Sequence, residues 1–193
     1  MRRESILAFI LLTCALATVA GAAAVDLSVV WNKTYGKPGA NDSAYSIIQI
    51  PGDRGYVFSG ETESFGAGEA DAWVVDLSRS GDERWNRTYG DRGMDTARSV
   101  INTSDGNYLF VGAFTYIMGE DRKDTDVLVV KFSPTGDIIW NETFGGPEDN
   151  ATAYAVAETA DRGYIVAGKT AFWGEPDTDA LVIKLNRSGS EEW

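Results

Sequence analysis

The sequence predicts an all-β chain assembled from repeated units of four short strands, and three observations lead there. A tryptophan recurs at a near-constant interval: Trp31, Trp85, Trp140 and Trp193 lie 54, 55 and 53 residues apart. The segments that follow the first three repeat one another block by block. No stretch after the N-terminal leader carries an apolar period of 3.6 over 11 residues, so nothing reads as an amphipathic helix. A fixed period of this length marks a repeat architecture.

Each unit opens on Trp31-Asn-Lys-Thr-Tyr-Gly36, Trp85-Asn-Arg-Thr-Tyr-Gly90 or Trp140-Asn-Glu-Thr-Phe-Gly145. Next comes a mostly apolar stretch led by Ala44, Ala97 or Ala153. A turn and an aromatic stretch follow as Asp53-Arg-Gly-Tyr-Val-Phe-Ser-Gly60, Asp105-Gly-Asn-Tyr-Leu-Phe-Val-Gly112 and Asp161-Arg-Gly-Tyr-Ile-Val-Ala-Gly168. The fourth block reads Asp71-Ala-Trp-Val-Val-Asp-Leu77, Asp126-Val-Leu-Val-Val-Lys-Phe132 and Asp179-Ala-Leu-Val-Ile-Lys-Leu185, and a glycine turn (Gly81, Gly136, Gly189) closes the unit. Val, Ile, Tyr, Phe and Trp fill the blocks, while Gly, Asp, Pro and Ser fill the breaks, which is strand and turn chemistry. In the fourth block Trp73, Val75 and Leu77 share one face, but Ala72 and Val74 opposite them are apolar too, so this strand is expected to be covered on both sides. Gly60, Gly112 and Gly168 stand in strand interiors, where Gly marks close backbone approach. The repeated Trp is expected to pack between neighbouring units.

Four strands per unit, repeated, is the plan of a β-propeller blade. The expected fold is thus an all-β propeller of three four-stranded blades of about 54 residues, approximately 31–84, 85–139 and 140–192. Three blades fall short of the usual 4 to 8 and would leave open edges. The expectation is that the chain is a fragment of a longer repeat protein, with self-assembly of two three-bladed chains as the alternative.

The first 24 residues read as a signal peptide: Arg2 and Arg3, an apolar run from Ile6 to about Ala17, then Ala22-Ala23-Ala24. The run is short for a transmembrane helix. Residues 25–193 form the repeat region. The one cysteine, Cys14, lies in the leader, and Thr13 before it argues against a lipidated N-terminus, so the exported chain is expected to hold no disulfide. A net charge of −12 and the lack of His argue against nucleic acid as a partner and exclude His-dependent triads and His-ligated zinc.

Seven of the eight Asn begin Asn-x-Ser/Thr with no Pro between: Asn32, Asn41, Asn86, Asn102, Asn141, Asn150 and Asn186. From the content of Ser and Thr, chance gives about one, so N-glycosylation of an exported protein is the strongest chemical expectation. Carboxylates before the fourth block, namely Asp71, Asp124, Asp126, Asp177 and Asp179, are candidates for calcium, with a turn-capping role as the alternative. No other cofactor is expected. Paired-carboxylate glycosidase chemistry needs no His, but an active site should break the repeat. The one clear break is the insertion around Tyr116-Ile-Met-Gly-Glu-Asp-Arg-Lys123, which reads as a longer surface loop. Phe172 and Trp173 could line a sugar surface. No catalytic residue is named, and the chain is not expected to be an enzyme.

The full pattern, W-N-x-T-[YF]-G through D-x-G-Y-x-x-x-G to G-x-x-x-W, resembles the SBBP-type β-propeller repeats of archaeal and bacterial cell-surface proteins over essentially the whole chain after the leader. The glycine turns with their following Trp also resemble the Trp-docking turns of quinoprotein-like propellers, without the Ala-x-Asp register or the cysteine pair that would point to a quinone cofactor. The resemblance implies a secreted or cell-surface scaffold with a structural, adhesive or ligand-binding role, and a cell-surface protein or glycan as partner. The alternative is part of a secreted carbohydrate-active enzyme whose catalytic blades lie outside this chain.

Overall fold

In a computed structural model the described residues are 30–119, 122–147, 149–171 and 177–193. Residues 1–24, where the signal peptide is expected, and Cys14 among them lie outside the described residues. Every regular element among the described residues is a β-strand. The first sheet holds β1 (Asp42–Gln49), β2 (Tyr56–Thr62), β3 (Asp71–Leu77) and β4 (Glu83–Tyr89). The second holds β5 (Thr96–Asn102), β6 (Tyr108–Ile117), β7 (Lys123–Phe132) and β8 (Ile138–Phe144), and the third β9 (Thr152–Glu158), β10 (Tyr164–Thr170) and β11 (Asp179–Leu185). Each is an antiparallel meander in chain order, four-stranded in the first two and three-stranded in the last. The Trp-Asn-x-Thr segment is the last strand of a sheet, so a unit counted from Trp to Trp and a sheet are offset by one strand.

The sheets are alike in detail. The first strand of each carries a bulge just after its leading alanine, where the register skips Tyr45, Arg98 or Tyr154. A bulge adds one unpaired residue and sharpens the local twist. The mid-strand glycines serve this bulge. A Cβ on Gly60 would stand 1.7 Å from the Ser43 carbonyl oxygen, and on Gly112 1.8 Å from that of Thr96. The close approach expected at these glycines therefore lies inside each sheet, against the bulged strand, and not between sheets.

Both faces of a sheet are apolar, and stacking buries them. Val57, Ala72 and Val74 from one face of the first sheet share a core with Val100, Phe110, Leu128 and Phe132 of the second. The opposite face of the second sheet, with Leu109, Val111, Val127 and Val129, packs on Ala153, Tyr164, Val166 and Ile183 of the third. Alternation along β6 and β7 sends successive side chains into different cores. The middle sheet is thus covered on both sides, and burial at about 25 cal/mol per Å² of apolar surface dominates its stability.

The repeated Trp joins neighbouring sheets, as its position implied. Trp85 of β4 meets Phe132 of β7 edge to face, ring centroids 6.5 Å apart, and its Nε1 donates to the Pro134 carbonyl at 3.1 Å. Trp31 repeats the contact on the turn after β3, with Nε1 donating to the Arg79 carbonyl at 3.0 Å. The tyrosine four residues after the Trp completes the contact: Tyr35 and Tyr89 donate their hydroxyls to the carbonyls of Gly81 (2.8 Å) and Gly136 (2.9 Å). These glycines carry positive φ, and a Cβ on Gly136 would lie 2.9 Å from Arg87 Cγ and 3.2 Å from the Trp85 ring.

Gly106 has nearly the same φ as Gly136 (82° against 84°) but has nothing within 4 Å of its Cβ position. Gly106→Ala should therefore cost only the left-handed backbone strain, about 1–2 kcal/mol. Gly136→Ala should cost roughly 1–3 kcal/mol more, because it also pushes the docked Trp85 away. Urea unfolding of both variants measures the difference; equal losses would mean the ring does not need the glycine.

Candidate functional site

The three sheets share two ends with different chemistry. At the end that carries the Trp turns, Lys131 of β7 is buried and donates to Asp105 Oδ2 at 2.6 Å and to the Tyr164 hydroxyl at 3.0 Å, bridging the second and third sheets. Burial alone would raise the Asp105 carboxyl and lower the Lys131 ammonium, but the bonds they make outweigh it: Asp105 is held well below the usual carboxylate range and Lys131 is raised. In the third sheet Lys184 repeats the pair with Asp161 at 2.9 Å. In the first sheet the signs are reversed, and Asp76 pairs with Arg84. Beside Lys131, a groove of about 300 Å³ is lined by Ser104, Asp105, Trp140, Glu158, Arg162 and Arg187 among others. Its walls are tied together, since Ser104 donates its backbone N–H and its hydroxyl to the Glu158 carboxylate, each at 2.7 Å.

The opposite end is acidic. Asp95, in the link from β4 to β5, is fully buried; its Oδ1 accepts from the Thr115 N–H at 2.7 Å and its Oδ2 from that of Asp91 at 2.9 Å. Burial outweighs those bonds, and Asp91 and Asp71 add like charge, so the carboxyl is pushed up to about 6. Gly90, which ends the Trp-Asn-x-Thr-Tyr-Gly block, leaves the room: a Cβ there would stand 2.3 Å from Asp95 Oδ2 and 3.0 Å from Asp71 Oδ1. Asp42 is the equivalent in the first sheet; its Oδ2 accepts from the Ser64 hydroxyl at 2.6 Å, and Gly36 stands over it in the same way. Asp42 and Asp95 were not singled out in the sequence. Their signal is an Asp two residues before the leading alanine, in Asp42-Ser-Ala44 and Asp95-Thr-Ala97, which the third unit replaces with Ala151-Thr-Ala153.

The calcium candidates do not come together as one group. Asp71 is buried, and its Oδ2 accepts from the backbone N–H groups of Ala67 (3.0 Å) and Gly68 (3.2 Å), the turn-capping geometry. Asp124 and Asp126 lie two residues apart on β7, with Asp124 buried. Asp126 Oδ1 is buried without a hydrogen-bond partner among the described residues. Burial, with Asp124 and Asp149 nearby, pushes the Asp126 carboxyl up to about 6. Asp177 and Asp179 are exposed at the approach to β11. Among the described residues no three or more carboxylates, His or Cys stand as a metal-holding group. The insertion lengthens the β6–β7 hairpin, whose strands run to ten residues each, and Lys123 at its tip reaches Glu69 of the first sheet at 2.6 Å. Phe172 and Trp173 lie outside the described residues.

The seven sequons differ in what holds their Asn. Asn32 and Asn141 are exposed, and Asn86 half-buried, at one repeated position beside the docked Trp. Asn41 is exposed and donates to Glu63 at 2.9 Å. Asn102 is committed between sheets, its Nδ2 donating to the Gln49 carbonyl at 3.1 Å. Asn186 caps the turn after β11, its Oδ1 accepting from the Ser188 and Ser190 N–H groups. Asn150 pairs through its backbone with Ala171.

Neither a protein-family model nor a curated protein matches this chain.

In the folded chain Asp95 and Asp126 keep their protons up to about pH 6, whereas unfolded Asp releases its proton near pH 3.9. Their favourable contribution is complete below about pH 4 and is lost as pH rises to about 6. Asp105 and Asp161, both lowered, act oppositely and lose their contribution as pH falls below about 4. The melting temperature should therefore peak at mildly acidic pH and fall toward pH 7. Asp126→Asn should flatten that fall; an unchanged slope would remove Asp126 from the account.

Proposed function

We propose that this chain is an exported, N-glycosylated β-propeller repeat protein of the cell surface, whose sheets are the blades and whose role is that of a structural, adhesive or ligand-binding scaffold. One observation carries the reading: successive sheets are related by the same step. Four polar links between sheets join residues one period apart, namely Val100 N–H to Ser46 Oγ, Asn102 to Gln49, Ser104 to Glu158 and Lys123 to Glu69, at separations of 53 or 54 residues. A repeated step between like sheets is the relation between blades of a propeller.

The placement of the polar chemistry supports a scaffold. Asp42, Asp71 and Asp95 accept backbone N–H or hydroxyl bonds, and Asp76, Asp105 and Asp161 pair with Arg84, Lys131 and Lys184. The repeated Asn of the Trp-Asn-x-Thr strand lies on the outermost strand of the meander, so glycans there would line one rim in register with the sheets.

Glycopeptide mass spectrometry of the protein from an exporting, glycosylating host tests the reading. Occupancy is expected at Asn32, Asn41 and Asn141, with Asn102 the least modified because its Nδ2 is engaged across a sheet junction. Unmodified peptides at all seven positions would sink the glycosylated-surface reading.

A further inference from the structure

The junction of the first and second sheets and that of the second and third carry the same groove beside the docked Trp, but their donors are treated differently. At the first junction a cavity of about 270 Å³ is lined by Arg54, Asp76, Arg84, Trp85 and Pro134 among others. Its indole and both guanidinium groups have partners. Trp85 Nε1 donates to the Pro134 carbonyl, Arg84 to Asp76 and to the Arg54 carbonyl, and Arg54 to the Pro51 carbonyl. At the second junction the groove of about 300 Å³ holds Trp140, Arg162 and Arg187. Trp140 sits on the turn after β11 as Trp85 sits on the turn after β7: a Cβ on Gly189 would lie 2.8 Å from its ring. Yet Trp140 Nε1 has no hydrogen-bond partner among the described residues, and the guanidinium groups of Arg162 and Arg187 have neither an ion pair nor a hydrogen bond among them.

Both arginines depart from the repeat. Arg79 aligns with Arg187 and pairs with Asp53 at 2.8 Å, whereas the aligned aspartate of the third sheet, Asp161, is taken by Lys184 at 2.9 Å. Arg187 is left over. Arg162 holds a left-handed backbone (φ 64°) where the second sheet has Gly106 (φ 82°). A side chain there carries strain that glycine avoids, and such strain clusters at binding sites. The rest of the groove supplies acceptors and an apolar face. Glu158 accepts twice from Ser104 and keeps lone pairs to spare. The half-buried Trp140 ring stands 6.0 Å from that of Tyr164, centre to centre.

We infer that the groove between the second and third sheets binds an acidic saccharide: the carboxylate of a uronic acid unit meets Arg162 and Arg187, its ring lies against Trp140, and its hydroxyls donate to Glu158. A guanidinium presents a fork that matches a carboxylate. A net charge of −12, with Asp105 and Glu158 in the groove itself, disfavours a dense polyanion and admits a ligand with one charge among many hydroxyls. An aspartyl or glutamyl side chain would serve the arginines but leave the Trp140 ring and the Glu158 oxygens unused. The volume lies at the small end of ligand sites, which suits a sugar and not a folded partner. The inference rests on the ligand-binding part of the proposed role. It needs only the second and third sheets stacked, so export and glycosylation are read out separately from it.

Calorimetric titration of the full purified chain tests the inference, with a short oligogalacturonate, the neutral oligogalactose of the same length and an oligoglutamate peptide of the same charge. The oligogalacturonate should bind with a dissociation constant below about a millimolar, and the other two at least about tenfold more weakly. Arg162→Gln and Arg187→Gln should each weaken it by about tenfold or more, the loss of a hydrogen bond to a charged group. Both side chains are exposed and unpaired among the described residues, so the melting temperature should hold. Arg79→Gln removes the same charge from the aligned turn of the first sheet and should leave binding unchanged. No binding of the oligogalacturonate at several millimolar would overturn the inference. So would equal binding of the neutral sugar or the peptide, unchanged binding in both groove variants, or an equal loss in Arg79→Gln, which would mean a general effect of charge.

Discussion

A sheet with two apolar faces cannot stand alone in water, and that constraint governs this molecule. An ordinary antiparallel sheet puts a polar face outward and needs one partner. Here β6 and β7 send Leu109, Val111, Val127 and Val129 to one side and Phe110, Leu128, Val130 and Phe132 to the other, all within a few per cent of complete burial. Such a sheet is stable only in the middle of a stack. The docked Trp, the glycine turn and the cross-sheet hydrogen bonds set the spacing and angle of that stack; the two-sided apolar surface makes it obligatory.

Polar groups are arranged so as not to oppose this stacking. At the end that carries the Trp turns a buried charge has its partner in the same or the adjacent sheet, as Lys131 does with Asp105 and Tyr164. The reversal from Asp76 with Arg84 to Lys184 with Asp161 shows that the position needs a neutralised pair and not a particular sign. Asp95 is held by two backbone N–H groups and still remains hard to ionise, because burial and two neighbouring aspartates act together. Asp126 has the same neighbours in kind but an Oδ1 without a hydrogen-bond partner among the described residues, so the acidic end is the less settled of the two.

Much of this was legible in the residues. The period, the strand blocks, the glycine turns and the packing of Trp between units follow from spacing and alternation, because each depends on local pattern. The double-sided burial of β3 and its equivalents was visible in Ala72 and Val74 beside Trp73 and Val75. What the pattern did not carry was the purpose of its glycines. Gly90 looked like the end of a strand motif, and its reason is a carboxylate from five residues further along. Gly112 looked like a point of close backbone approach, and the backbone that approaches is the bulged neighbouring strand. Both depend on non-local approach, which a one-dimensional spacing does not encode. The candidate calcium ligands show the same limit: Asp71, Asp126 and Asp179 align in sequence, yet one caps a turn, one is half-buried with an Oδ1 that has no hydrogen-bond partner among the described residues, and one is exposed, because their surroundings differ with their place in the stack.

The one-period bonding has a further consequence for how the chain can change length. Adding or deleting a whole unit leaves every surviving residue facing a partner of the same kind, whereas a shift of a few residues within a strand would turn its core face to water and misalign both junctions. The three-residue insertion of the second unit obeys this rule: it is absorbed at the tip of the β6–β7 hairpin, where the strands lengthen past the stack and the register of Tyr108 through Ala113 opposite Val127 through Phe132 is untouched. Duplication in whole units and trimming at hairpin tips are the two edits this architecture tolerates, so variation in size should come in steps of about one sheet.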